Sequence, residues 1–254
     1  MDLNAGVGES FGLWKLGDDE TLLSVVTSAN VACGFHAGDP GTLRRITSRA
    51  AALGVAIGAE VAYRDLVGFG RRFMDIRPED LRDDITYQIG SLDAFARQAG
   101  RPVTFVKPHG ALYHAVVQHE EQAAAVVDAV VRYSQVNDRE LAVLGQPGSA
   151  LLQAAERVGL RTVREAFADR GYDLTGQLLP RDAPGALVTD LGQVAERAVR
   201  MAVKGEVVTG DGSVVLVTAE SICVHGDTLG AVEIARSVRT ALEAAGVELA
   251  PFAP

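Results

Sequence analysis

Val103-Thr104-Phe105-Val106-Lys107-Pro108-His109-Gly110 is a short apolar run that ends abruptly on a lysine and a histidine. A strand buried in a parallel sheet reads this way, and its polar end marks the rim where α/β folds place their chemistry. The same layout recurs along the chain. Strands are predicted over Asp2 to Ala5, Ser28 to Gly34, Val55 to Glu60, Val103 to Lys107, Leu141 to Gly145, Thr162 to Ala166 and Val214 to Val224. Ala-rich stretches of helical period lie between them, predicting helices near Asp19 to Val26, Gly41 to Leu53, Glu79 to Gln98, Glu120 to Tyr133, Ser149 to Val158, Leu191 to Val203 and Leu229 to Ala245. Such alternation implies parallel strands joined by crossover helices, in about seven or eight units.

A barrel and an open doubly wound sheet both satisfy this pattern. Asn4, His36, Glu60, His109, Glu165 and His225 fall at or just after the ends of different strands. A barrel draws its site from many strand ends, whereas an open sheet concentrates it at one switch point, so the expectation is a single-domain β/α barrel over residues 1–254. Asp39 before Pro40 reads as a helix N-cap followed by a first-turn proline. Val61 to Arg77 and Phe167 to Gly185 read as long loops able to act as lids, and Val207 to Val214 as a local hairpin on a Gly-Asp-Gly turn.

Composition narrows the function. The 33 acidic residues outnumber the 24 Lys and Arg, a field that repels phosphate backbones and anionic membranes, so neither nucleic acid nor a membrane is an expected partner. Cys33 and Cys223 stand far apart without metal-type spacing. The first residues lack the basic segment and apolar stretch of a secretory signal, and no apolar run reaches membrane-spanning length. A cytoplasmic location is expected. His114 and His119 lack a two-histidine spacing and read as surface or packing residues, the cysteines read as core, and neither a P-loop nor a strand-linked Gly-x-Gly-x-x-Gly is present.

Lys107 and His109 project at a strand mouth suited to a carboxylate, phosphate or developing oxyanion. His36, within Cys33-Gly34-Phe35-His36-Ala37-Gly38-Asp39, is a proton shuttle or metal ligand, while Asp39 is a cap or a site acid. His225 follows another strand, with Asp227 placed to cap the final helix or to orient it. Asp2, Asn4 and Glu9 offer carboxylates and an amide around the first strand. Glu165, Asp169 and Arg170 can clamp a polar substrate, as can Arg71 and Arg72. Read alone, these residues stop near a barrel hydrolase or lyase.

Longer ordered strings resemble the LamB/YcsF family: Asp2-Leu3-Asn4-Ala5 with Gly8-Glu9, Ser28 to Pro40 with Asn30 and His36 inside it, Gly68-Phe69-Gly70-Arg71-Arg72, Tyr87 to Gly90, Val106 to Tyr113, Phe167 to Arg170, and Ser221 to Asp227. The resemblance covers almost the whole chain. It implies a seven-stranded barrel similar to the NodB-like polysaccharide deacetylases. It also implies one component of bacterial 5-oxoprolinase, working with PxpB and PxpC subunits to open 5-oxo-L-proline to L-glutamate with ATP as co-substrate. On that reading His36 and an acid among Asp2, Asp39 and Glu9 handle water or hold a divalent cation, Lys107 and His109 stabilise the phosphoryl group or oxyanion, and Asn30, Glu60 and the remaining residues named above contact substrate.

Two stretches depart from the family pattern. Asn4-Ala5-Gly6-Val7-Gly8-Glu9 stands where the family usually reads Asn-Ala-Asp-Leu-Gly-Glu, and Gly58-Ala59-Glu60-Val61-Ala62-Tyr63-Arg64-Asp65 where it usually reads Gly-Ala-His-Pro-Gly-Tyr-Pro-Asp. The related deacetylases hold their metal with an acid and two histidines, so the donor set here is altered, and Glu60 would favour a harder ion. Two other functions stay open beside the ATP-coupled one: a metal-dependent amide hydrolase or deacetylase independent of ATP, and a non-catalytic ligand-binding subunit.

Overall fold

In the computed structural model, which describes residues 1–253, seven parallel strands close into a barrel. They are β1 (Asp2–Val7), β2 (Ser28–Ala32), β3 (Ala56–Val61), β4 (Phe105–Pro108), β5 (Ala142–Gly145), β6 (Thr162–Phe167) and β9 (Ser221–Val224), with β9 pairing to both β6 and β1. A separate two-stranded antiparallel ribbon is formed by β7 (Glu206–Val208) and β8 (Val214–Leu216). The helices are α1 (Asp19–Leu22), α2 (Pro40–Leu53), α3 (Pro78–Gln98), α4 (Gly110–Ala115), α5 (Glu120–Val136), α6 (Ala150–Arg157), α7 (Leu191–Lys204) and α8 (Ala231–Ala244).

The single strand expected over Val214 to Val224 is two. Val214 and Leu216 are exposed in the ribbon, while Ser221 to Val224 are buried in the barrel, so the apolar run spans two environments and breaks between them. The short helix α4 was not expected, because its six residues follow His109 within what reads as loop. None of the helices is long and apolar enough to cross a membrane among the described residues.

Alternation along each strand sorts the side chains. Leu3, Ala5 and Val7 of β1, Ala29 and Val31 of β2 and Val106 of β4 join the large core between sheet and helices. The opposite faces fill the barrel. At the end where the strands begin, Ala56, Phe105, Ala142, Leu144 and Val163 form a small apolar plug, and Phe252 covers it with its ring 4.9 Å from that of Phe105. Gly58 makes this plug possible, because a Cβ there would lie 2.1 Å from the Phe105 ring.

Asp93 ties the outer layer to the barrel. It is buried on α3 and accepts from the Val103 amide at 2.8 Å, Arg97 at 2.6 Å, the Tyr133 hydroxyl of α5 at 2.9 Å and Arg139 at 3.1 Å. Burial alone would push its carboxyl up, but these donors hold it below the ordinary value of 3.8.

Two outcomes are expected. Gly58→Ala destabilises by about 3 kcal/mol or more in urea unfolding, and its cost shrinks on a Phe105→Ala background; independent, additive losses would contradict the packing described. Asp93→Asn costs roughly 3 kcal/mol at neutral pH. Because the folded-state pKa of Asp93 is depressed, its contribution is present above the ordinary carboxyl range and lost as pH falls through the lower folded value. The variant's unfolding free energy is therefore flatter than the wild type's below about pH 4.

Candidate active site at the barrel mouth

Above the apolar plug the barrel interior is polar, unlike the layers of branched aliphatic residues usual in such barrels. Asp2 begins the column. Its carboxylate accepts from Thr27 and Ser28, each at 2.6 Å, and from Ser221. Asn4 stands next on β1, donating to Ser221 at 2.7 Å and Glu165 at 2.9 Å while its carbonyl accepts from Asn30 at 2.7 Å. These groups are almost wholly buried, so hydrogen bonding to one another replaces the water they have lost.

Lys107 closes the column from β4. Its Nζ donates to Glu165 Oε1 at 2.6 Å, to Asn4 Oδ1 at 3.2 Å and to the Cys223 sulfur at 3.3 Å, and it lies 5.0 Å from the centre of the Phe167 ring. Burial opposes its charge, yet the negative surroundings raise its pKa on balance. Cys223, held protonated by its own burial, supplies an accepting sulfur, and Glu165 supplies the countercharge. The second Glu165 oxygen and the Tyr113 hydroxyl have no partner.

Lys107 also opens the cleft, which lies at the carboxyl ends of the barrel strands and leaves about 60 Å³ of free space. Gly6, Glu9, Glu60, His109, Tyr113, Cys223, His225, Asp227, Arg71, Arg170 and Arg181 are among the residues lining it.

One wall is acidic and imidazole-rich. Glu9, His36, Glu60 and His109 bring one ligand-type atom each within 4.8 Å of one another. His109 Nε2 lies 2.9 Å from the Phe69 carbonyl, which only accepts, so that nitrogen carries a proton and Nδ1 faces Glu60 Oε1 at 3.1 Å. Phe69 holds this carbonyl in place with a left-handed φ of 55°, a costly conformation for a residue with a Cβ. His36 stacks on His109 with ring centres 3.9 Å apart, and neither of its nitrogens has a partner. Its burial pulls its pKa well down, leaving it neutral, whereas burial and Glu60 push Glu9 well up.

Gly6 and Glu60, where the family pattern has an acid and a histidine, lie side by side. A Cβ on Gly6 would stand 3.2 Å from Glu9 Oε1 and 3.5 Å from Glu60 Oε2. The Glu9 and Glu60 carboxylates thus both crowd the place where a side chain on Gly6 would begin.

The other wall is cationic. Asp169 accepts from the His225 backbone amide at 2.9 Å and pairs with its Nδ1 at 2.9 Å, which presents Nε2 to the cleft. Burial pushes Asp169 up, but His225 and Arg170 outweigh it and keep it ionised. Arg71 pairs with Asp227 at 2.5 Å. Arg181 leaves Nη2 buried without a partner.

The structure redistributes the expected residues. Asn4, Asn30, Lys107 and Glu165 form the floor, and Glu9, Glu60, His109, Arg71 and His225 line the cleft above it. His36 backs this wall from behind Glu60. Asp2 is not at the mouth: it lies at the start of β1 with its oxygens saturated by hydroxyls. Asp39 caps α2, accepting from Gly41 at 2.9 Å and Thr42 at 3.1 Å, and does not line the cleft. Arg72 is exposed and clamped to Asp65 within its own loop. Arg170 reaches the cleft, but its guanidinium is a strut, donating to the carbonyls of Ala186 at 3.0 Å and Leu179 at 2.5 Å. Asp227 neither caps α8 nor orients His225; it pairs with Arg71, and Asp169 does the orienting.

Arg181 escaped the sequence reading, its only signal being a place in the long loop after β6. Cys223 and His114, read there as core and as surface or packing, both line the cleft.

The LamB/YcsF family matches residues 1–254. The chain is 58% identical over 253 residues to the 5-oxoprolinase A subunit of Streptomyces avermitilis, covering 100% of both, and 56% identical over 252 residues to that of Mycobacterium marinum, covering 99% and 98%. Its structure superposes on the lactam utilization protein from Thermus thermophilus with a TM-score of 0.91 at 45% identity, covering 99% of each chain. Residues and fold agree throughout: the chain belongs to the LamB/YcsF family.

Proposed function

We propose that the cleft binds 5-oxo-L-proline and, with PxpB and PxpC as partner subunits and ATP as co-substrate, opens its lactam ring to L-glutamate in the cytoplasm. The observation that carries this reading is the unpartnered Arg181 guanidinium facing the same cleft as the Lys107–Glu165 pair and the His225–Asp169 dyad. Arg181, beside Arg71, offers a carboxylate a desolvated cation with a free donor. The acidic wall opposite would repel such a group, so the substrate has only one orientation.

Amide resonance makes a five-membered lactam resistant to water. Phosphorylation of the amide oxygen by ATP removes that protection. Water then adds to the ring carbonyl carbon, the C–N bond breaks with nitrogen taking a proton, and a second water releases phosphate from the acyl phosphate. His225 Nε2, with Nδ1 held by Asp169, serves as the proton acceptor and donor, and Lys107 favours charge developing on oxygen. The relatives are named as one lettered component of an enzyme, which supports assembly with further subunits. Two buried free thiols suit a reducing compartment.

Glutamate release from 5-oxoproline is the test. Activity is expected only when the chain, PxpB, PxpC and ATP are all present. Arg181→Ala should raise KM at least tenfold with a smaller change in kcat, and His225→Ala should lower kcat by about 100-fold or more. Inactivity of the mixture, with PxpB and PxpC proven active beside a different LamB/YcsF chain, would leave a binding protein. Turnover without ATP would favour the metal-dependent hydrolase.

A further inference from the structure

Large apolar side chains are most exposed on the loops that ring the barrel mouth. Leu229 is 99% exposed, Leu13 97% and Val67 93%, the three highest values for large hydrophobic residues among the described residues. Each lies where a barrel strand runs out towards its helix: Leu13 between β1 and α1, Val67 between β3 and α3, and Leu229 between β9 and α8. Trp14 and Phe73 add exposed aromatic rings to the first and second of these loops.

The loops are held in place. Phe11 and Trp14 exchange backbone hydrogen bonds of 3.0 and 2.9 Å, which close the turn that presents Leu13. The β1 and β9 loops pack so closely that a Cβ on Gly17 would lie 2.9 Å from the Gly226 carbonyl oxygen. Leu16 and Leu229 line a hollow with Asp18, Glu233 and Arg236, and Asp227, the remaining acid there, is already paired with Arg71. The hollow is thus acidic beside an apolar rim.

Clustered apolar prominences around a functional cleft mark a surface that another molecule covers. A second copy of this chain is a poor cover, because two chains of net charge −9 would bring the same acidic rim against itself in a two-fold contact. It would also shut both clefts. We propose, on the reading that the chain works within a multi-subunit enzyme, that these three loops dock a partner subunit through an apolar surface carrying Lys or Arg. Its apolar side chains cover Leu13, Val67 and Leu229, and a basic one enters the hollow beside Glu233. The same loops carry site groups: Val67 lies two residues before Phe69, whose carbonyl fixes His109, and Leu229 lies four residues after His225. Docking therefore steadies the site and closes its mouth together, which keeps bulk water from taking the phosphoryl group before the lactam does.

The test is calorimetric titration of purified PxpB and PxpC with the full chain and its variants. Leu13→Asp, Val67→Asp and Leu229→Asp should each weaken association at least tenfold, with circular dichroism and thermal unfolding unchanged. Glu233→Lys should weaken it about threefold or more at low salt and less at high salt. Val136→Asp, an exposed apolar position at the closed end where α5 leads into β5, should keep wild-type affinity. Wild-type affinity in all three mouth variants, or an equal loss in Val136→Asp, would overturn the proposal and leave the multi-subunit reading standing. A wild-type chain that binds neither partner would overturn both, and self-association abolished by the mouth substitutions would overturn the proposal by assigning the face to a second copy.

Discussion

The buried ion pair between Lys107 and Glu165 is the constraint on which the rest of the site depends. It joins β4 to β6, strands that are not neighbours, across the inside of the barrel. Removing both charges from water costs several kcal/mol each, and only close approach with further hydrogen bonds offsets that cost. Asn4 supplies them by contacting both partners, and Asn4 is in turn held by Asn30 and Ser221. The polar column therefore exists as a unit. It fixes where the barrel interior ends and the cleft begins.

From that floor the cleft divides by charge. Glu9 and Glu60 with two imidazoles occupy the side of β1 and β3, while Arg71, Arg181 and His225 occupy the side fed by the two long loops and β9. A small anion with a polar ring can satisfy both sides at once only in one orientation. The loops supply this asymmetry and the barrel supplies its rigidity, a division of labour common in α/β barrels. The left-handed Phe69 and the Arg170 strut show how firmly both loops are held.

Much of the fold was legible because its signals are local. Apolar runs with polar ends marked the barrel strands, and Asp39-Pro40 marked the start of α2, which also accounts for Asp39 as a cap rather than a site acid. The break between β8 and β9 was not legible, since a continuous apolar run does not say that half of it lies in an exposed ribbon. At the site, residues at strand ends were readable by position. Arg181 was not, because a loop arginine gains meaning only when burial leaves it without a partner. Asp2 misled for the opposite reason: the two-residue spacing to Asn4 correctly put both on one strand face, but could not say that Asp2 lies at the closed end. The Gly6 and Glu60 departures read as two separate losses in sequence, and only the structure places them side by side.

A crystal structure with 5-oxo-L-proline bound tests the central claim most directly. The account predicts the ligand in the cleft with its carboxylate on Arg181, its ring carbonyl toward Lys107 and its ring within reach of His225 Nε2. A ligand bound elsewhere, or one whose carboxylate faces the Glu9 and Glu60 wall, would contradict it.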